Sequence, residues 1–438
     1  MTRPPSPAPS PIQRHNYAAV QADSVFLGIV SASGTFLPVF LLRLGASGTA
    51  IGLLTAIPAL TALVIAIPFG RWLQRRRNIV PWYSRLRLVA WLSYAVMAGV
   101  AAILPPADAV PAMLVVWALA SLPSTAALVA FPIIMSGAAG PSGRFDLLGR
   151  RWAIAGASTT ISVALGGQLL NLLAFPTNFE LLFVGITVAG FGSFLQSSRI
   201  VIPDQPPVAV TSGQTAVARL PGITSLVRSR RPFVRYELQS LVYTVGIGIA
   251  APLLPLFYVH EVGAPDAWIG IIGAAQSAGG VVGYLAARRL SIRRSGVSVL
   301  LPSLLLVAIV PLTQAALGWL PAVAAVAFLY GLGGAGAQLA MFDLLMRRIP
   351  SEHGVTFSSV DQTVQNLGFI LAPNIGGLLA VTIGVRLGLA VAAAVLGLAF
   401  AWFAIDRSAS SEARSTSQPP AEPKVVEPGG EVNIEQPA

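Results

Sequence analysis

Polar side chains recur at helical spacing inside stretches built otherwise of Ala, Val, Leu, Ile and Gly. Gln21, Ser24, Gly28, Ser31 and Thr35 form one such series, and spacings of three and four put its members on one face of a helix. Glu237, Ser240, Thr244 and Gly248 form a second, with Gln239 and Tyr243 beside it. Gly273, Gln276, Ser277, Gly280 and Tyr284 make a third, and Gln362, Gln365, Asn366, Phe369 and Pro373 a fourth. Amides, hydroxyls and aromatic rings dominate these faces, so their chemistry is hydrogen bonding and stacking rather than bond breaking. Four carboxylates accompany the apolar stretches: Asp23, Glu237, Asp343 and Asp361. Asp343 precedes Arg347 by one helical turn and reads as an ordinary intrahelical pair. Asp23 and Glu237 could each carry a proton, and each could instead pair with one of the many arginines.

Other chemistries are excluded by what the chain lacks. It has no cysteine, and its three histidines (His15, His260, His353) are scattered. No disulfide framework, thiol chemistry or metal cluster follows from such a set, and no cofactor is implied. No Ser/His or His/Asp arrangement falls inside an apolar stretch, which argues against an enzyme. No nucleotide-binding loop is present either.

The elements that hold these residues are set by composition. Apolar residues make up 55% of the 438 and charged ones only 10%, far below the roughly 25% of a soluble domain. Charge-free intervals run 24–42, 44–70, 88–107, 109–143, 152–179, 181–198, 238–259, 267–287, 295–342, 362–385 and 387–405. A helix crosses the hydrocarbon in about 20 residues, so each interval holds one span except 295–342. That interval is broken at Gly318-Trp319-Leu320-Pro321 and reads as a helical hairpin. The expectation is an all-α polytopic membrane protein with twelve transmembrane helices, because open sheets cannot satisfy their backbone in lipid.

The basic residues give the orientation. With the N-terminus inside, every one of the 28 except Arg43 and Arg386 falls in a cytoplasmic segment, as the positive-inside rule requires of an integral plasma (inner) membrane protein with both termini cytoplasmic. This also explains the formal charge of +11 without nucleic acid, since no basic patch is interleaved with aromatics. The organisation expected is a disordered tail at 1–16, a six-helix half at 17–198, a central cytoplasmic loop at 199–235, a second six-helix half at 236–406 and a disordered tail at 407–438.

The halves resemble each other. Pro38-Val39-Phe40 answers to Pro255-Leu256-Phe257, Gly45-Ala46 to Gly263-Ala264, Ile51-Gly52 to Ile269-Gly270, and Gly166-Gly167 to Gly376-Gly377. Each half has an even number of spans, so the copies enter the membrane in the same sense. Parallel repeats of this kind build transporters with a site at the repeat interface.

Twelve spans, a 6+6 parallel repeat and a basic central loop resemble the major facilitator superfamily. The loop after the second span carries Gly70-Arg71-Trp72-Leu73-Gln74-Arg75-Arg76-Arg77, with Gln74 where that family usually has an acid, and Gly283 to Arg289 echoes it. The Gly-Pro-x-x-Gly-Gly pattern of the family's antiporters lacks its Gly-Pro before Gly166-Gly167; Ala372-Pro373-Asn374-Ile375-Gly376-Gly377 comes closer, in the other half. The resemblance implies two pseudo-symmetric six-helix bundles and secondary active transport by alternating access, with the chain as a monomer in the lipid bilayer. It implies a central cavity lined by the first, seventh, eighth and eleventh spans. Substrate would then meet Gln21, Ser31, Gln239, Tyr243, Gln276 and Asn366, a set suited to a neutral or amphiphilic small-molecule solute. Asp23 and Glu237 are the proton-coupling candidates. The arrangement also suggests a cytoplasmic gate in which Asp361 meets Arg75 and Asp146 meets Arg288. A membrane assembly or sensory factor on the same scaffold is the alternative.

Overall fold

The computed structural model describes residues 10–202, 230–293, 297–348 and 354–406. Among them there is no strand, and twelve helical segments are long and apolar enough to cross a bilayer. The first crossing is α1 (Pro11–Ser31) continued by α2 (Ser33–Arg43), with the break at Ala32. Then come α3 (Gly48–Gln74), α4 (Val80–Ile103) and α5 (Pro106–Leu170). The 65 residues of α5 would be about 98 Å long if straight. They supply two crossings instead, Pro106–Ala139 and Leu147–Leu170. α6 (Thr177–Ser197) completes the first half. The second half is α7 (Arg231–Leu256), α8 (Asp266–Arg293), α9 (Val297–Ala316), α10 (Leu320–Arg348), α11 (Gly354–Thr382) and α12 (Val385–Ile405).

Two boundaries differ from the sequence reading. α1 begins at Pro11, inside the stretch read as a tail, because Ser10 and Gln13 cap it reciprocally. Asn16 then exchanges two hydrogen bonds with the backbone of Val201, holding the start of α1 against the end of α6. α7 likewise begins at Arg231, within the stretch read as the central loop. The tail from 407 and most of the central loop lie outside the described residues.

The repeat seen in sequence is physical. Gly45 and Gly263, which align in it, both adopt positive φ (92° and 63°) as the chain leaves the first and seventh crossings. Only glycine enters that region without strain. The following residues, Ala46 and Ala264, return a backbone hydrogen bond to Leu41 and Tyr258 at 2.9 Å each.

The two halves meet where α3 packs on α11 and α5 on α8. These crossings rely on glycine. A Cβ on Gly270 would lie 2.5 Å from Cα of Gly167, one on Gly377 would lie 2.5 Å from the backbone of Gly48, and one on Gly52 would lie 2.7 Å from the carbonyl oxygen of Pro373. All of these contacts sit toward the face opposite the chain ends, called the far face below. Buried side chains follow the same division. One continuous cluster at the far face joins both halves, with Phe36, Phe40 and Phe183 from the first and Leu253, Phe257 and Leu389 from the second. At the terminal face there are two separate clusters, one per half: Val20, Tyr83, Ile134 and Leu147 in the first, Phe233, Leu304, Leu344 and Phe403 in the second. The molecule is therefore sealed at its far face and parted at its terminal face.

Substituting Gly270→Val should hold α8 off α5 and breach the seal. In this cysteine-free chain, a cysteine at Val39 should then react several-fold faster with an impermeant thiol reagent applied from the far-face side. An unchanged rate would show that the crossing is not what closes that face.

Candidate functional site

Between the parted halves lies a cavity of about 900 Å³. α8 lines it with its whole polar series: Gly273, Gln276, Ser277, Gly280 and Tyr284. α7 contributes Tyr236, Ser240, Tyr243, Thr244 and, deeper, Leu254, and the π-helical turn Phe257–Glu261 that follows it adds Tyr258. Asp361, Gln365 and Phe369 come from α11, and Tyr330, Gln338 and Phe342 from α10. The first half supplies a plainer wall of Ser31, Thr35, Val39, Ile51, Leu54, Thr55 and Thr159.

Several of these groups are already oriented. Gln365 donates from Nε2 to Ser240 Oγ and accepts from the Thr244 hydroxyl, so one amide ties α11 to two turns of α7. The Tyr284 hydroxyl donates to Gln338, joining α8 to α10. Tyr258 accepts from Gln314 Nε2 at 3.0 Å. Positioned amides and hydroxyls on rigid helices are what a small-molecule site requires.

Of the six substrate-contact candidates from the sequence, Ser31, Tyr243 and Gln276 stand on this wall and three do not. Gln239 is fully buried on another side of α7, donating to the Trp402 carbonyl and to Asp406, both at 3.3 Å. Burial of an amide inside the bundle satisfies it as well as a cavity would. Asn366 is half-buried one position past Gln365, which takes the place expected for it. Gln21 is half-buried on α1, away from the wall. The α10 wall was missed. Tyr330, Gly334, Gln338 and Phe342 recur at helical spacing inside the long interval read only as a hairpin.

The two proton candidates have different surroundings. Asp23 is fully buried and held by two arginines. Arg87 Nη1 and Nη2 lie 3.1 and 2.9 Å from its oxygens, and Arg151 Nη1 lies 2.8 Å away. Ser193 donates to the same carboxylate while accepting from Arg87. The Arg87 guanidinium lies 4.4 Å from the Trp91 ring centroid, and that of Arg151 lies 5.0 Å from Phe131. Arg87 and Arg151 were assigned to loops, and the structure corrects this: both are buried inside the first half because Asp23 and the rings compensate them. Glu237 is buried too, yet neither of its carboxyl oxygens has a hydrogen-bond partner among the described residues.

The arginines of the far face are both paired. Arg43 meets Asp266 across the halves at 2.9 Å, and Arg386 meets Glu261 at 2.9 Å. Asp343 pairs with Arg347 at 3.0 Å. At the terminal face Arg75 is exposed and Asp361 half-buried on the cavity wall, with no ion pair between them in this open arrangement. The side chains of Asp146 and Arg288 lie outside the described ones.

Comparison with known proteins agrees with this geometry. The sequence profile of the Major Facilitator Superfamily matches residues 237–432. No curated protein matches the chain. Among solved structures, a variant of the nucleoside transporter NupG superposes with a TM-score of 0.66 at 12% identity, covering 89% of this chain and 100% of that one. A bacterial homologue of the human lysosomal transporter Spinster, inward-facing and unoccupied, gives 0.65 at 13% identity, covering 94% and 100%. A bacterial metal transporter gives 0.63 at 15% identity, covering 92% and 99%.

Removing one member of the buried ion cluster leaves the others uncompensated, which costs about 3–5 kcal/mol. Asp23→Asn should therefore lower the thermal midpoint of the purified protein sharply, whereas Arg75→Ala, at an exposed position, should leave it within error. Equal midpoints for parent and Asp23→Asn would show that the cluster contributes little.

Proposed function

We propose that this chain, a transporter of the major facilitator superfamily by its fold and by the sequence of its second half, moves a small organic solute by alternating access. The observation that carries the reading is the cavity itself. It lies between the two halves, is sealed at the far face by the glycine crossings and is open at the terminal face. Its volume falls in the range of about 300–1,000 Å³ that binds small molecules. Its lining of hydroxyls, amides and rings suits a neutral or amphiphilic solute. A phosphorylated one would look for bases, and none stands among the described lining residues.

The terminal face is the cytoplasmic one in this reading, since the basic residues crowd it. The open state is then inward-facing, and the plasma membrane is the setting. Closing the cytoplasmic side would bring α3 and α11 together at their terminal ends and so carry Asp361 toward Arg75 and its neighbours, with Asp146 and Arg288 as the symmetry-related pair. Exposed pairs contribute only about 0–1 kcal/mol each, enough to bias a rocking equilibrium without locking it.

Glu237 is the coupling residue of choice. A buried carboxylate without a partner costs several kcal/mol, and binding a proton removes that cost. Asp23 has no such need, being already matched by two arginines.

Orientation is checked with cysteines at Ser198 and Gly318, which should label from opposite sides of sealed vesicles, Ser198 from the cytoplasmic one; labelling of both from the same side would overturn the orientation and the span count. Transport is checked in proteoliposomes over a solute library. Glu237→Gln should abolish accumulation driven by a pH gradient while sparing solute exchange at equal pH. Accumulation at the parental level in that variant would remove Glu237 from the coupling step.

A further inference from the structure

The cavity wall carries a single ionisable charge, and it is negative. Asp361 is the one acid among the described lining residues, and no Arg, Lys or His accompanies it there. This stands out in a chain with 28 basic residues. Most of those within the described helices pair with Asp23 or at the far face, or stand exposed at the terminal face. Arg348 is buried behind Tyr236, 5.8 Å from its ring and donating to the Pro232 carbonyl, outside the lining itself. Glu237 lies behind the wall, buried and without a hydrogen-bond partner among the described residues, and with a proton bound it adds no charge. Asp361 is therefore the charge that faces this part of the cavity, and low-dielectric walls strengthen its field.

Five tyrosines line the wall along its depth: Tyr236 and Tyr284 toward the mouth with Asp361, Tyr243 and Tyr330 midway, and Tyr258 at the deep end. Aromatic faces attract cations through the ring quadrupole, and such rings in combination hold quaternary ammonium groups. The hydroxyls of Tyr243 and Tyr330 make no hydrogen bond to another described residue, so they remain available to a solute. Every one of these groups belongs to the second half. Deeper in the cavity Val39, Ile51, Leu54, Leu254 and Ile269 provide an apolar end.

We infer that the solute is an amphiphilic organic cation, its charged centre held by Asp361 among the tyrosine rings and its apolar body lodged at the deep end. This rests on the reading of the chain as a carrier of organic solutes and narrows it to one charge class. An anion would meet repulsion with no compensating base. A bare metal ion would require several oxygen or nitrogen ligands at once, and among the described residues no group of three His, Asp or Glu side chains is placed to hold one.

The test compares two ions of the same shape and opposite charge, tetraphenylphosphonium and tetraphenylborate. Their equilibrium binding to the purified full chain in neutral detergent is measured against empty micelles. The parent should bind the phosphonium at least tenfold more tightly than the borate. Asp361→Asn should weaken the phosphonium at least tenfold and leave the borate within about twofold, and Asp361→Glu should recover most of the loss. Thermal midpoints of both variants establish that they are folded, and the parent's preference between the ions decides the matter even if they are not. Equal binding of the two ions, binding of neither, or an unchanged affinity in a folded Asp361→Asn protein overturns the inference. Binding is read without transport. A chain that prefers the phosphonium yet moves no solute in proteoliposomes would therefore overturn the carrier reading and leave this one standing.

Discussion

Two backbone-to-backbone crossings set the geometry of everything else: α5 on α8 through Gly167 and Gly270, and α3 on α11 through Gly48, Gly52 and Gly377. Lipid tails are as apolar as leucine, so helices in a membrane gain nothing by hiding apolar surface from one another. They associate by close packing, for which the absence of a Cβ is the chief device. Because the crossings occupy matching positions of the repeat, they form a pair of contacts on either side of the pseudo-twofold axis. Two halves joined at two such points can rotate about them without losing either. The core clusters record one end of that rotation, merged at the far face and separate at the terminal face.

The halves divide the work unequally. In the first, Asp23, Arg87, Arg151 and Ser193 bind α1, α4, the second crossing of α5 and α6 into one block, through charges that would be ruinous if unmatched. Its cavity face is correspondingly plain. In the second, the polar side chains turn toward the cavity, and the helices are joined by amide and hydroxyl links that cross it or border it. One half with its charge buried among its own helices and another with Asp361 on the cavity wall would suit the carrier proposed above. The solute then needs to engage only one body strongly, and the other needs only to close over it.

Much of this was legible in the sequence, for physical reasons that also explain the failures. Lipid penalises polar side chains, so any that persist on a helix face are meaningful, and the α8 series is on the cavity wall in full. The same penalty is relieved by burial between helices, which periodicity alone cannot distinguish from a cavity. Gln239 found Asp406 and the α12 backbone, and Asn366 yielded its place to Gln365. Arg87 and Arg151 were read by the rule that arginine marks a loop. That rule fails where a buried carboxylate and aromatic faces replace water, and only the fold brings Asp23 to two residues so distant in the chain. The repeat was visible because its glycines answer to backbone geometry: positive φ at Gly45 and Gly263, and close approach at Gly270 and Gly377.

The position of the cavity groups along α8 connects binding to movement. From the crossing at Gly270, Gln276 lies about 9 Å along the helix and Tyr284 about 21 Å, at 1.5 Å per residue. A rotation about the crossing therefore displaces Tyr284 more than twice as far as Gln276. Thr35 lies against Gly273 on the opposing half, so the deep end barely changes width while the mouth opens and shuts. In the proposed cycle, an apolar body at Val39, Ile51 and Leu254 would keep its contacts through the motion. Asp361 lies farther along the lever arm on α11, and its surroundings change most between open and closed. The depth of the site thus supplies retention, and the region of Asp361 and Tyr284 is where a bound solute can alter the balance between states. A ligand shifts a conformational equilibrium only by the difference in its affinity for the two forms, and this is the part of the wall where such a difference can arise.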